Sequence, residues 1–194
     1  DEEYTEAAHR LERLFRHALP WRFMGRPTHG SSAEQPPGIR HGVTVDTVPR
    51  YLERFLGIGA EGDLPRSRWL GLPTERLLAF VSGPVFHDDL GELFAARDRL
   101  RFYPDEVWLE LMAAEWSRIA EDHEAFAAVC STGDRLGMTV TAARLVSALL
   151  RLAFFLERRY PPADRWLSRE LGKLEHASEL APEFTRMLES TDWE

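Results

Sequence analysis

The chain has little of what defines several large classes of protein. Cys130 is the one cysteine among 194 residues, so no internal disulfide can form, and we expect an intracellular, cytoplasmic protein. The longest apolar run, around residues 148–156, is interrupted by Arg151 and is shorter than the about 20 residues that span a bilayer, so we expect no membrane association. The sequence contains no GxxxxGKS or GxxxxGKT phosphate loop, no GxGxxG loop after a strand and no GxSxG nucleophile motif.

Basic residues are outnumbered as well. The chain has 24 Lys and Arg against 32 Asp and Glu, a formal net charge of −8, so we expect no bulk binding to nucleic acid, although a local basic patch is compatible with this balance. His17, His29 and His41 share no predicted face, and with one cysteine they give no zinc-ligand spacing. The remaining composition, 44% hydrophobic and 29% charged, is that of an ordinary globular protein.

Most of the chain shows the three- and four-residue apolar spacing of amphipathic helices. Residues 4–19 show it first, and beyond Pro65 the pattern is almost purely helical. Between them, residues 21–24 and 41–46 have strand composition, the second with two valines that alternate with polar residues. We therefore predict an α+β, predominantly α-helical fold: a partial sheet within an α/β region at residues 1–62, and a helical bundle at residues 63–194.

Asp46 ends the stronger of the two predicted strands, and Thr44 lies on the same strand face. A carboxylate at the end of a strand can hold a divalent metal that steers a phosphoryl group. The alternative is that Asp46, together with Thr47, caps the helix that follows, and residue spacing alone favours this alternative.

Three arginines recur every seven residues in the most apolar helical stretch. Arg144, Arg151 and Arg158 therefore lie on roughly one helical face. Arginines on a largely buried helix need partners, and a salt-bridged stripe that uses Glu157, Asp134 or the acidic first helix is the favoured interpretation. The functional interpretation is a basic stripe that contacts phosphates.

The turn that follows this helix combines aromatic and basic residues. Tyr160, Arg165 and Trp166 could stack on a base or another ring, and they could equally pack the last helical hairpin together.

Several segments of the C-terminal half resemble the family called domain of unknown function 4037. The segments that carry the resemblance are Trp69-Leu70, Gly83–Asp88, Tyr103–Leu109, Ala113–Ile119, Gly133–Gly137, Ala142–Val146 and, closest of all, Arg151–Tyr160. They occur in the same order as in the family, and the similarity extends from about Val43 to Leu174.

The resemblance implies a nucleotidyltransferase fold, in which a mixed sheet carries metal-binding acids and a helical domain packs behind it. Related enzymes transfer a nucleoside monophosphate from a nucleoside triphosphate (NTP) to a hydroxyl, often on a small molecule, with Mg²⁺ held by clustered carboxylates. In this interpretation Asp46 is the catalytic carboxylate and metal ligand. The expected contacts to phosphate, base or acceptor are Arg144, Arg151, Tyr160, Arg165 and Trp166.

The chain departs from the family pattern where catalysis would take place. The family places a Gly-Ser and paired acids before the first helix, where this chain has only Asp1-Glu2-Glu3. We therefore expect a truncated or degenerate nucleotidyltransferase-like protein that is inactive as given. The alternatives are a non-catalytic helical module that binds a nucleotide or a partner, and a purely structural helical domain.

The first prediction concerns catalysis. We expect the 194-residue chain to show no magnesium-dependent transfer of nucleoside monophosphate from ATP, GTP, CTP or UTP, because the paired acids that would hold the metal are absent. Incorporation of label from α-phosphate-labelled NTPs into small-molecule hydroxyl acceptors measures this, with magnesium-free reactions as the control. Transfer above that control would contradict the prediction.

Overall fold

The computed structural model describes residues 2–20, 22–27, 45–60 and 62–190, and these residues are mainly helical. The elements in chain order are α1 (Glu2–Ala18), β1 (Arg22–Phe23), β2 (Arg26–Pro27), α2 (Val48–Leu56), α3 (Arg66–Leu70), α4 (Thr74–Val81), α5 (Glu92–Arg99), α6 (Asp105–Cys130), α7 (Arg135–Leu156), α8 (Asp164–Leu171) and α9 (Ala177–Glu189). The helical part of the predicted fold class is therefore confirmed.

The predicted partial nucleotidyltransferase sheet is not supported. The strands within the described ranges are β1 and β2, two residues each, which pair antiparallel across a turn at Met24 and Gly25. Val45 and Asp46 are not in a strand, and residues 41–44, the rest of that predicted strand, lie outside the described residues. Alternation of apolar and polar residues makes a strand only where a neighbouring strand supplies hydrogen bonds. In the described part of the chain, no strand pairs with Val45 or Asp46.

Helix α2 begins and ends where its sequence predicts. The Thr47 side chain accepts a hydrogen bond from the backbone N–H of Arg50 at 3.4 Å, and Pro49 lies in the first turn, where its missing N–H costs nothing. Gly57 closes the helix in the left-handed region at φ 68°, which a residue without Cβ adopts at little cost.

The two longest helices, α6 and α7, pack against each other as an antiparallel hairpin. Asp134 caps α7 by accepting from the backbone N–H of Gly137 at 3.1 Å. Gly137 lies in the first turn of α7, where a Cβ would lie only 2.6 Å from the Asp134 carboxylate, so any other residue there would force the cap to shift. At the other end of the hairpin, Trp108 Nε1 donates to the Phe155 carbonyl at 2.8 Å.

Helix α7 is the central element of the helical bundle. Ten of its residues are buried, and it contacts α6, α8 and α9. By length and composition it could cross a membrane, but 56% of its apolar window is buried within the protein, as in a core helix. One apolar cluster unites α7 with α8 and α9 through residues that include Leu150, Phe154, Leu167 and Leu171.

A second and larger apolar cluster joins α2 to the helices that follow it. Leu52 and Leu56 of α2 pack in the same core as Trp69, Leu77 and Val107. The division of the chain at residue 62 stays a prediction, but residues on both of its sides share this core.

Two buried tyrosines, Tyr103 and Tyr160, connect this second cluster to the end of α7. Their rings meet edge to face at 4.9 Å, and the Tyr160 hydroxyl donates to the Leu100 carbonyl at 2.9 Å. The Tyr103 hydroxyl lies 3.1 Å from the Thr74 hydroxyl. Burial raises the pKa of both tyrosines, because a phenolate would lose its hydration there.

The raised pKa values predict a loss of stability at high pH. The unfolded chain releases these protons near pH 10, before the folded chain does, so the contribution to stability is complete below about pH 10 and decreases above it. We expect Tyr160→Phe to lower the free energy of unfolding by about 1 kcal/mol at neutral pH, because the hydrogen bond to Leu100 is lost. The same substitution should reduce the further loss above about pH 10.

Urea unfolding at a series of pH values measures both effects. Tyr51→Phe is the control, because the Tyr51 ring is only partly buried. Identical alkaline losses in Tyr160→Phe and in the unmodified chain would contradict the prediction.

Candidate ligand-binding cleft

A cleft of about 700 Å³ lies where the ends of α4, α7 and α8 meet the connection between α5 and α6. This volume is within the about 300–1,000 Å³ that is usual for small-molecule sites. Its apolar wall includes Leu78, Val81, Phe102, Phe154 and Pro162, its cationic residues are Arg101, Arg158, Arg159 and Lys173, and its acidic residues are Asp98, Glu157 and Glu170. Cationic side chains thus outnumber acidic ones in this cleft, although the whole chain is acidic.

The backbone after α7 places two of the arginines. The Arg158 N–H donates to the Phe155 carbonyl and the Arg159 N–H to the Phe154 carbonyl, which is the Schellman pattern at a helix end. Arg158 occupies the position that usually carries glycine, at φ 52°, a conformation that costs a side-chain-bearing residue about 1–2 kcal/mol. The contacts of the Arg158 side chain have to offset this cost.

Arg158 contacts α6 through both charge and stacking. Its Nη1 donates to a carboxylate oxygen of Asp105 at 2.7 Å, and its guanidinium carbon lies 4.1 Å from the centre of the Trp108 ring. These contacts fix the guanidinium at the edge of the cleft and leave about half of the side chain exposed.

The other cations of the cleft differ in how strongly they are held. Arg159 Nη1 donates to the Lys173 carbonyl at 2.9 Å and so links the end of α7 to the segment after α8, while the Lys173 ammonium pairs with Glu170. Arg101 is exposed, and within the described part of the chain no ion pair involves it. Arg101 is therefore the cation most available to a ligand.

Glu157 holds the chain around the cleft together from the acidic side. Desolvation opposes its ionisation, but hydrogen bonds from the backbone at Glu175 and His176 outweigh that effect and lower the pKa. The His176 N–H donates to Glu157 Oε1 at 3.3 Å, so this carboxylate ties the end of α7 to the start of α9. Glu157 thus has a structural partner and is not a free acid in the cleft.

Three of the residues that sequence analysis selected lie at or beside the cleft, and Arg158 of the arginine stripe is one of them. Tyr160 lines it, but its hydroxyl is occupied by Leu100 and the residue is only 3% exposed, so its ring is part of the wall. Trp166, 45% exposed, lines an adjoining depression that shares Leu78, Pro162 and Glu170 with the cleft. Arg169 lies over the Trp166 ring at 5.6 Å.

The other selected residues do not line the cleft. Arg165 is exposed on α8. Arg144 lies 2.6 Å from Asp122, a carboxylate with 3% exposure, and Arg151 pairs with Asp164. With the Arg158–Asp105 pair, this arrangement matches the salt-bridged interpretation of the arginine stripe, but the partners differ from those expected, because α6 and the start of α8 supply them.

Arg151 also lies near a partly buried acid. Burial raises the pKa of Glu115, and the positive charges of Arg118 and Arg151 oppose that shift. Arg118 pairs with Glu115 at 3.0 Å. Arg151 therefore pairs with Asp164 on α8 and acts on Glu115 of α6 through its charge.

Asp46 is bound to protein groups through both carboxylate oxygens. Oδ1 accepts from the Tyr4 hydroxyl at 3.2 Å and from the Thr47 N–H at 3.1 Å, and Oδ2 accepts from Arg54 at 2.9 Å. These contacts agree with the alternative that Asp46 stabilises the start of α2, while its role as catalytic carboxylate and metal ligand stays a prediction. Within residues 2–20, 22–27, 45–60 and 62–190, no three His, Cys, Asp or Glu side chains are placed to hold a metal ion.

Sequence analysis missed Arg101, Arg159 and Lys173 as site residues. They come from three chain segments that packing brings together, so no local spacing connects them. A partial signal existed in the basic pair Arg158-Arg159 directly after the most apolar helix, because charged residues at the end of a buried helix mark where the chain reaches solvent.

The structure thus defines a mainly helical protein with a mixed-charge cleft at the end of its central helix. The sequence profile of a family described as Domain of unknown function (DUF4037) matches residues 69–167, just over half of the chain. The chain belongs to this family, as its motifs predict. The matched range includes Arg101, Arg158 and Arg159 of the cleft. No significant match to the chain was found among curated proteins or among solved structures.

The ion pair between Arg144 and the buried Asp122 should stabilise the folded chain. We expect Arg144→Ala to lower the free energy of unfolding by about 1–3 kcal/mol, because the Asp122 carboxylate loses its counter-charge. The value is below that for a fully buried pair because the Arg144 side chain is 63% exposed. Asp122→Asn in the Arg144→Ala background should recover part of the loss.

Urea unfolding of the single and double variants measures the coupling. Arg186→Ala is the control, because its partner Glu183 is exposed and the pair should contribute less than about 0.5 kcal/mol. Equal losses for Arg144→Ala and Arg186→Ala would argue against a special role for the buried carboxylate.

Proposed function

We propose that this chain is the ligand-binding helical part of a nucleotidyltransferase-like protein, and that it binds the phosphates of a nucleotide in the cleft at the end of α7. The observation that carries this proposal is the meeting of Arg101, Arg158, Arg159 and Lys173 around one cleft of small-molecule size. Guanidinium groups suit phosphate because they offer several donors in one plane.

The apolar wall suits the rest of such a ligand. Leu78, Phe102 and Pro162 offer surface for a base or sugar, and Trp166 lies in the adjoining depression with an exposed ring. Base stacking on aromatic side chains contributes about 1–3 kcal/mol. A cleft lined by both cationic and apolar side chains offers the two kinds of contact that a nucleotide requires.

We propose transfer of a nucleoside monophosphate to a small-molecule hydroxyl only for intact relatives in the family, which carry the Gly-Ser and paired acids. The described residues of this chain do not fit Mg²⁺, because both oxygens of Asp46 accept hydrogen bonds from protein groups and no group of three His, Cys, Asp or Glu side chains among them is placed to hold a metal ion. We therefore assign this chain a binding role without catalysis.

A purely structural role is the second candidate. Arg158 pairs with Asp105 and Lys173 with Glu170, so part of the positive charge in the cleft is already compensated within the protein. This candidate predicts that no nucleotide stabilises the chain.

Thermal unfolding in the presence of nucleotides separates the two candidates. We expect ATP, GTP, CTP or UTP, with or without Mg²⁺, to raise the melting temperature, because a ligand that binds only the folded state stabilises it. Arg101→Ala should weaken the binding of that nucleotide at least about tenfold, which corresponds to the loss of one charge-assisted hydrogen bond of about 1.4 kcal/mol.

The matched control is Arg165→Ala, which removes an exposed arginine outside the cleft. It should leave the affinity unchanged, whereas a loss there would favour the contacts that the family resemblance implies. The absence of a thermal shift with any of the four nucleotides would favour the structural candidate.

A further inference from the structure

A shallow depression adjoins the cleft on the side of α8. It has a volume of about 330 Å³ and is lined by Leu78, Pro162, Trp166, Arg169 and Glu170. Trp166, Arg169 and Glu170 follow one another at spacings of three and one, so they lie on one face of α8. Trp166 is 45% exposed, so its indole offers stacking surface to a planar ring.

Three residues line both the depression and the cleft. Leu78 and Pro162 are apolar, so Glu170 is the shared residue whose side chain forms hydrogen bonds. The four cations that the proposed function assigns to phosphates line the cleft and not the depression. A ligand that occupies both spaces therefore passes Glu170 between an aromatic end and a cationic end.

The Glu170 carboxylate is held in place through one of its two oxygens. Oε2 accepts from the ammonium of Lys173, three residues further along the chain, and in the described part of the chain no hydrogen bond or ion pair reaches Oε1. The Glu170 side chain is 29% exposed, so Oε1 remains open to a ligand. An ionised carboxylate accepts hydrogen bonds and donates none, so this oxygen selects a donor such as a hydroxyl.

We propose that the nucleotide bound here is a ribonucleotide whose base stacks on Trp166 in the depression and whose ribose hydroxyls donate to Glu170 Oε1. This inference rests on the proposed function and specifies its ligand. The ribose connects the base to the phosphates, so it lies at the shared wall when the base is in the depression and the phosphates are in the cleft. Acidic side chains bind ribose hydroxyls in the same way in dinucleotide-binding folds.

Charge disfavours the reverse placement of the ligand. Phosphates in the depression would lie beside the Glu170 carboxylate, and the cation among the residues that line this space is Arg169. The Arg169 guanidinium already lies over the Trp166 ring at 5.6 Å. A base in the cleft would leave its four cations without an anion.

Isothermal titration calorimetry with paired nucleotides tests the ribose contact. The affinity of each of ATP, GTP, CTP and UTP is compared with that of its 2′,3′-dideoxy form, which lacks both hydroxyls. We expect the ribonucleotide to bind about tenfold more tightly, as one charge-assisted hydrogen bond provides. Glu170→Ala should reduce this ratio to about one, and Glu170→Gln, which keeps the side-chain size and a neutral acceptor, should give an intermediate ratio. Loss of the Lys173 contact changes both affinities of a pair alike, so the ratio isolates the hydroxyl contact.

Asp98→Ala is the matched control, because Asp98 is an acid that lines the cleft but not the depression. Its ratio of ribonucleotide to dideoxynucleotide affinity should equal that of the unmodified chain. Nucleotide binding with equal affinities for the two forms, or a preference for the ribonucleotide that survives Glu170→Ala, overturns this inference and leaves the proposed function standing. A Glu170→Ala variant that changes only the preference among the four bases would assign Glu170 to the base and likewise overturns it. The absence of binding by all four ribonucleotides overturns both.

Discussion

The burial of α7 is the constraint on which the rest of the helical bundle depends. The helix has apolar side chains around most of its circumference, so it requires neighbours on several faces, and α6, α8 and α9 supply them. The Trp108 indole, which donates to the Phe155 carbonyl, links α6 to the end of α7. The larger apolar cluster reaches the same end through Phe155 and Tyr160, so both cores meet at the place where the cleft opens.

An apolar helix with arginines at regular intervals would be costly to bury if its charges were not compensated. Three aspartates meet this requirement, and each comes from another helix: Asp122 and Asp105 from α6, and Asp164 from α8. The contributions differ, because Asp122 is buried while Asp105 and Asp164 are exposed, and exposed ion pairs contribute little to stability. Of the three pairs, the one between Arg144 and Asp122 is therefore expected to contribute most to stability.

Hydrogen bonds between helix ends hold the walls of the cleft together. The cleft lies between helix ends that hydrogen bonds connect, such as the bond from Arg159 to the Lys173 carbonyl, so Arg158 and Arg159 are positioned before any ligand arrives. Such preorganisation lowers the entropic cost of binding.

Local features were predictable because their physical causes are local. Thr47 and Gly57 bound α2 through hydrogen bonds to residues at most five positions away, and the seven-residue spacing of Arg144, Arg151 and Arg158 indicates a common face in any helix. Family membership followed from motifs that the sequence carries in order. The predicted strand that ends at Asp46 was wrong in its described part, because alternation becomes a strand only beside another strand.

The sequence by itself determined the mainly helical class, the cap of α2 at Thr47 and the family. Only the tertiary structure decided that Asp122 meets Arg144, and that Arg101, Arg159 and Lys173 surround one cleft. The physical reason is the range of the interactions. Helix formation depends on hydrogen bonds and side-chain spacing within a few residues, whereas a site built from helix ends exists only after distant apolar faces have packed together.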